Sequence, residues 1–350
     1  MSLHLTDTRE IEEALSWLNK YWNKPIQPIF YDAKSIEDAL SLLDEYKKEA
    51  KIIAGGIDLI GLLKNKIISP RVLVNIKNIP QMNYITETSD GLEVGALTLI
   101  YDIGRSPLIK SQHPLLSEVA ESVGSPQVRN MATMGGNLCQ EVRCWYYRRP
   151  PITGISYQCR RKQEGGVCYA MDGENENHAI FGEGECFAVC PSDMATALLS
   201  LDAKIKTVSP TGERIIPIQD FYTNLGNVLE PNEIIIGIQI SKVKRHTRQR
   251  YIKFRTRKAL DFSIVSVAVV ITLKDSLICD AKIALGGVSP MPYEAVKAEE
   301  VLKGESLTKA VTEKAAEASV SDAMPLSKNS YKVPIAKALI KRALFEFKGI

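Results

Sequence analysis

No run of apolar residues in this sequence is long enough to cross a bilayer. The best stretch, FSIVSVAVVITL, falls short of the ~18 that a spanning helix needs. The N-terminal MSLHLTDTREIEEALSWLNK carries acidic residues where a secretory leader would carry a basic stretch and then an apolar one. Both absences point to a cytoplasmic protein. A large charge of either sign is missing too, and a net +3 over 350 residues is too small to imply a nucleic-acid partner. Neither a P-loop nor a G-x-G-x-x-G fingerprint occurs, which argues against an ordinary ATPase and a Rossmann domain. There is no C-x-x-C pair, no internal repeat and no low-complexity tail.

What the sequence does have is apolar residue enough for a sizeable core, 45% beside 24% charged. Its 350 residues suit two domains at about 150 residues each. Ser35 reads as a helix cap, with Asp38 three residues on and Ile36, Ala39, Leu40, Leu42 and Leu43 as an apolar stripe. AKIIAGGIDLIGLLKNK predicts a strand, a Gly-Gly turn and a short helix; RVLVNI and GLEVGALT predict strands, and PLLSEVAESV a helix ending near Gly124. From about residue 141 to 186, RRPPITG, QEGG and DGENEN replace apolar periodicity, and so long a loop without its own core is usually functional. SDMATALLSLDAKI then resumes helix and strand, with Ser192 as cap. A Pro-Asn turn in VLEPNEIIIGIQI places a domain boundary near 231/232, so that Ile234 to Ile240 opens a C-terminal domain. There RYIKFRTRKA, SIVSVAVVITL and DAKIALGGVS predict an antiparallel sheet covered on one face by the closing helices. The expected class is α+β.

Two Gly-Gly pairs, in IIAGGIDL and MATMGGNL, follow extended segments. A turn of this kind can aim successive backbone N–H groups at a pyrophosphate without a cationic side chain; it can equally be a plain turn. Six of the seven cysteines, Cys139, Cys144, Cys159, Cys168, Cys186 and Cys190, crowd into about fifty residues, and Cys279 stands apart. In a reducing compartment such crowding signals a metal site or redox groups rather than disulfides. Lys253, Arg255 and Arg257 share one face of a strand and read as a solvated basic face in preference to a direct contact with a cofactor or acceptor.

AGGIDL, SPQVRNMATMGGNLCQ and CPSDMATALLSLDA resemble the flavin-binding motifs of the medium, FAD-carrying subunit of the molybdenum hydroxylases, the xanthine dehydrogenase and carbon monoxide dehydrogenase family. KFRTRKALDFSIVSVAV and ALGGVSPMP are similar to that subunit's C-terminal domain, so the resemblance runs through nearly the whole chain. It implies a two-subdomain FAD-binding domain of the vanillyl-alcohol-oxidase-like type over 1–231, with subdomains of about 1–85 and 86–231, followed by a C-terminal domain over 232–350. It implies FAD held by Ala54, Gly55, Gly56, Ile57, Asp58 and Leu59 of the first turn and by Thr133, Gly135, Gly136 and Asn137 of the second, chiefly through backbone amides. Gly124 would approach the cofactor from the side, and Asp193 would accept a hydrogen bond from it. Ile57 stands where the family often has a polar residue.

The cysteine segment, RCWYYR, QCRRKQEGGVCYA and HAIFGEGECFAV, is similar to the insertion in the flavin subunit of 4-hydroxybenzoyl-CoA reductase, which binds a 4Fe-4S cluster. By position the matching ligands are Cys144, Cys159, Cys168 and Cys186, with Cys139 and Cys190 as packed thiols; His178 could be a ligand but reads first as a structural histidine. Trp145, Tyr146, Tyr147 and Phe187 would exclude water, while Arg148, Arg160, Arg161 and Lys162 offset the cluster's negative charge. Structural zinc would take four thiolates as well. The resemblance implies an electron-transfer subunit without a catalytic residue of its own, relaying electrons between a small 2Fe-2S subunit, a large molybdopterin subunit and an external partner such as ferredoxin or NAD. The competing reading is a zinc-stabilised nucleotide-binding protein without redox activity. A free-standing vanillyl-alcohol-type oxidase is disfavoured, because no histidine for a flavin linkage stands beside AGGIDL.

Overall fold

Ser35 opens the first helix, Ile36–Tyr46, by accepting a hydrogen bond on Oγ from the Asp38 amide at 3.2 Å. Asp38 in turn accepts from the Lys34 amide at 2.9 Å, so both groups that the sequence places at this helix start are used. The helix joins the strands Ile29–Asp32 and Ala50–Ile53, and the strand Val72–Asn75 lies between them, parallel to both. Val72 and Val74 of this central strand are fully buried, as are Ala39 and Leu43 of the helix stripe. The computed structural model describes residues 28–150, 157–182, 184–257 and 260–347. Residues 1–27 of the expected first subdomain and 151–156 and 183 of the expected insertion lie outside them.

A second, antiparallel sheet of five strands has the order Ile85–Thr88, Gly91–Gly95, Ile234–Ser241, Lys204–Ser209, Gly212–Pro217. Here the structure corrects the sequence reading, since Ile234–Ser241 pairs with Gly91–Gly95 and Lys204–Ser209 and forms the middle of this sheet. Ile234, Ile235, Ile238 and Ile240 are all buried, the pattern of a strand covered on both faces. The Pro-Asn turn thus returns the chain to a sheet already begun, and the junction to the C-terminal part follows Ser241 rather than residue 231. Helices Pro114–Ser122 and Asp193–Ser200 pack beside this sheet, and Gly124 ends the first of them with φ +49°.

The C-terminal part is a four-stranded antiparallel sheet, Thr247–Phe254, Val265–Lys274, Leu277–Gly286 and Tyr293–Glu294, followed by helices Val296–Leu302, Lys309–Ala318 and Lys332–Glu346. Val265, Val267, Val269 and Ile271 are fully buried among these helices. The opposite face is covered as well: Tyr251, Ala268 and Ala284 join the core that contains helix Asp193–Ser200. Small residues there let the helix approach closely, and the sheet is sandwiched rather than covered on one face.

The cysteine segment is better packed than its composition suggests. Tyr146, Ala170, Ala179 and Phe187 form one buried cluster, and Val142, Tyr147, Cys159, Cys186 and Ala188 form another with Leu62 of helix Leu59–Lys64. Asn329 Nδ2 donates to the carbonyls of His178 (3.1 Å) and Ala179 (2.9 Å), and Ile180 N donates to Val288 O at 2.8 Å. The segment therefore has an apolar core of its own and is fastened to the C-terminal sheet and helices.

Candidate functional site

One large cavity, of about 1330 Å³, opens between the parallel sheet, the second sheet and the C-terminal strands. It exceeds the ~300–1,000 Å³ of ordinary ligand pockets and suits a dinucleotide. The first Gly-Gly turn forms one wall, with all of Ala54 to Leu59 lining it. Gly56 has φ +70°, and among the described residues no group accepts a hydrogen bond from the backbone N–H of Gly55, Gly56, Ile57 or Asp58. Successive free amides in a turn are donors for an anion such as a pyrophosphate. Gly55 has a further role: a Cβ there would stand 1.9 Å from Met131 O, so the turn lies directly against the segment that leads into the second pair.

That second pair differs from its sequence reading. Thr133 caps a short helix, Met134–Leu138, so Gly135 and Gly136 occupy its first turn rather than a nest. Their amides are taken. Met134 N donates to Thr98 O (2.9 Å), Gly135 N to Ala96 O (2.8 Å), Asn137 N to Thr133 O (2.8 Å) and Gly136 N to Thr133 Oγ1 (3.2 Å). Thr133, Gly136 and Asn137 line the cavity, whereas Gly135 is packed against Ala96, with 3.1 Å from a Cβ to the Ala96 Cβ. The backbone donors to an anion therefore come from the first turn, and Gly135 serves close packing.

Gly124 and Asp193 line the same cavity. Asp193 is buried at the start of its helix, where Oδ2 meets Lys253 Nζ at 2.6 Å and Oδ1 accepts from Tyr251 OH at 2.9 Å. Burial and the adjacent carboxylate push the Tyr251 phenol well above its ordinary pKa, so it remains a donor. Lys253 is not part of a solvated face: its side chain is 4% exposed and lines the cavity. Sequence reasoning missed it, although a lysine two residues after a buried tyrosine shares that tyrosine's face. Arg255 donates to Ser122 O at 2.9 Å, and only Arg257 of the three is freely exposed.

Beside the large cavity lies a small one, lined by Cys144, Cys159, Cys168 and Cys186 together with Tyr146, Tyr147 and Arg161. The fold thus brings together the four thiols expected as ligands. Arg161 Nε donates to Cys186 Sγ at 3.4 Å, and the neighbouring Cys168 thiol together with this cation holds the Cys186 thiol well below its ordinary value. Burial pushes Cys144 up to about 11. His178 Nε2 stands 3.2 Å from Cys144 Sγ while its buried Nδ1 has no partner among the described residues, so it is a neighbour of the thiols and only half satisfied. Four thiols fit an iron-sulfur cluster by donor chemistry, and the one carboxylate on this wall, Glu185, is paired with Arg160 at 3.4 Å. Among the described residues, however, no three or more His, Cys, Asp or Glu side chains are gathered around a point that could hold a metal ion. Cys190 is a buried, packed thiol, but Cys139 is exposed on the large cavity's wall.

The two cavities are tied together by charges that the sequence did not reveal. Asp58, in the first turn, pairs through Oδ1 with both Arg143 Nη1 and Arg148 Nη2 (2.6 Å to the latter), and its Oδ2 accepts from the Glu141 amide at 2.7 Å. Arg143 also lies over the Phe262 ring, 4.8 Å from its centroid, so it links the first turn to a loop of the C-terminal part. No local signal marks these partners, which are 85 and 90 residues apart in sequence.

Residues 24–242 match the family model described as the FAD binding domain in molybdopterin dehydrogenase, and residues 250–347 match the CO dehydrogenase flavoprotein C-terminal domain. The chain is 30% identical over 305 residues to the FAD-binding subunit PaoB of an Escherichia coli aldehyde oxidoreductase, covering 85% of this chain and 91% of that subunit. It is 26% identical over 322 residues to the carbon monoxide dehydrogenase medium chain of Hydrogenophaga pseudoflava, covering 90% and 95%. A solved structure of carbon monoxide dehydrogenase from that organism, lacking the Mo-pyranopterin moiety of its cofactor, superposes with a TM-score of 0.74 at 25% identity over 92% of this chain and 97% of its own. No helix among the described residues is long and apolar enough to cross a membrane.

Proposed function

The chain belongs to the family of FAD-binding subunits of molybdenum hydroxylases, which are oxidoreductase components, and from that premise we propose that it carries a 4Fe-4S cluster as well as FAD. In this reading it relays electrons between partner 2Fe-2S clusters and an external donor or acceptor such as ferredoxin or NAD. A small 2Fe-2S subunit and a large molybdopterin subunit would complete the complex, with the FAD-binding part folded in the vanillyl-alcohol-oxidase manner. One observation carries the proposal: the four thiols of the insertion line a single cavity whose wall, Arg161, is also a wall of the dinucleotide-sized one. Zinc is the competing occupant of the same four thiols, and the assay below tells the two apart.

FAD supplies the exchange between two-electron and one-electron chemistry. The chain's own residues bind and shield it. The free amides of Gly55 to Asp58 would receive the pyrophosphate, with Thr133 and Asn137 facing them from the second segment. Asp193 and Lys253, a buried ion pair held by Tyr251, fix a charge arrangement at the cavity wall that needs no solvent to complete it. Cys144, Cys159, Cys168 and Cys186 would hold the cluster, and Tyr146, Tyr147 and Phe187 keep water from it.

The test is an iron, sulfide, zinc and flavin assay on anaerobically purified protein. About four iron and one FAD per chain, with iron and sulfide lost together in Cys186→Ala but retained in Cys190→Ala, are expected. Stoichiometric zinc without sulfide would refute the cluster, and iron loss in Cys190→Ala alone would refute the ligand set.

A further inference from the structure

Among the described residues Arg161 is the one side chain that lines both cavities. It is 6% exposed and every nitrogen of its guanidinium is engaged. Nε donates to Cys186 Sγ at 3.4 Å, Nη1 to Leu225 O at 3.1 Å and Nη2 to Asn224 O at 3.2 Å. The two carbonyls belong to the hairpin between Tyr222–Thr223 and Gly226–Asn227, outside the cysteine segment. They fix the plane of the fork and aim Nε at the sulfur. Among the described residues the carboxylate paired with it, Glu141 Oε2 at 3.5 Å, is itself 41% exposed, so solvent screens that pairing and much of the guanidinium charge remains directed at the thiol cavity. A guanidinium stays charged at any working pH, and here it is pre-organised.

We propose that Arg161 is a positioning residue that raises the reduction potential of the group held by Cys144, Cys159, Cys168 and Cys186, and raises it more than that of the flavin. Each electron added to a thiolate-bound cluster adds negative charge, and a fixed cation donating to a ligand sulfur stabilises the reduced form. Arg161 contacts a sulfur directly but only borders the large cavity, so its effect is greater on the cluster than on the flavin. This inference rests on the reading of the four thiols as cluster ligands.

The experiment is an anaerobic redox titration of the full chain, followed by cluster EPR and flavin absorbance, for the parent, Arg161→Gln and Arg161→Lys, each first assayed for iron, sulfide and FAD. Arg161→Gln is expected to keep all three yet show a reduced-to-oxidised cluster ratio at least about tenfold lower at the parent's midpoint, equivalent to about 59 mV for one electron. The flavin couple should move less. Arg161→Lys, which keeps the charge but loses the fork, should fall between the two. An unchanged cluster ratio in fully loaded Arg161→Gln would overturn the proposal. So would loss of iron from both variants, which would assign Arg161 to building the pocket alone. A parent protein without iron and sulfide would instead refute the cluster reading itself, and this inference with it.

Discussion

Replacing Gly55 with alanine tests how the two flavin-binding segments are joined. The added methyl would stand 1.9 Å from the carbonyl oxygen of Met131 and 2.8 Å from its carbon, both backbone atoms that no rotamer change can move aside. To reach an ordinary contact the first turn and the Met131 segment must part by more than about 1 Å. Overpacking of this kind costs about 1–3 kcal/mol. The strain falls where FAD would be gripped from both sides, so a share of it appears in affinity: at 1.4 kcal/mol per tenfold, the full cost would weaken FAD binding about 5- to 150-fold. Gly104→Ala is the control for a generic glycine effect. Its methyl would meet Glu121 Cγ at 3.0 Å, part of a flexible side chain, with Glu121 N at 3.5 Å and Ala120 Cβ at 3.6 Å in ordinary contact, neither residue lining the cavity, and helix propensity favours alanine by up to about 1 kcal/mol. FAD titration of deflavinated protein by fluorescence quenching, with thermal melts of both variants, reads the two effects separately. A Gly55→Ala protein with the parent's FAD affinity and melting temperature would refute the packing of the two segments described here.

Lys253→Met should leave Asp193 buried with only Tyr251 for company and destabilise the protein by about 3–5 kcal/mol in urea unfolding. The double variant with Asp193→Asn should recover more than half, and no recovery would deny the pairing. Asp58→Ala removes the carboxylate shared by Arg143 and Arg148, so limited proteolysis should cut faster within the cysteine segment; an unchanged cutting rate would show that its apolar clusters suffice. Burial raises the Glu299 carboxyl to about 7, above its unfolded value of about 4.5, so the folded state holds the proton more tightly. That contribution is complete below pH 4.5 and is lost as pH rises through 7, so the melting temperature should fall over this window. Glu299→Gln, which can still accept from Ile283 N, should flatten the fall, and parallel profiles would contradict the assignment.

What could be read from the sequence was largely what short stretches of chain determine. The Ser35 cap, the strand-turn-helix at AGGIDL and the helix ending at Gly124 depend on neighbours within a few residues, and they form as expected. The errors share a cause. The second glycine pair resembled the first locally, but the amides of Met134 and Gly135 are claimed by Thr98 and Ala96, partners from another part of the chain. Ile234–Ser241 looked like the start of a domain because it follows a turn, and only its pairing with Gly91–Gly95 shows otherwise. Lys253 was taken for a surface charge because its partner, Asp193, lies 60 residues away.

Chain connectivity makes the flavin and thiol regions one problem rather than two. Arg143 borders the large cavity and the next residue, Cys144, borders the small one; Cys159 borders the small cavity, Arg161 both, and Lys162 the large one again. Consecutive Cα atoms are held about 3.8 Å apart, so a displacement of Cys144 larger than its own backbone dihedrals absorb moves Arg143 as well. Arg143 is bound to Asp58, and Asp58 sits in the turn whose free amides face the large cavity. One peptide bond and one ion pair therefore connect the thiol segment to the first turn. Where ordering one wall through this connection changes affinity at the other, reciprocity makes the change the same in both directions.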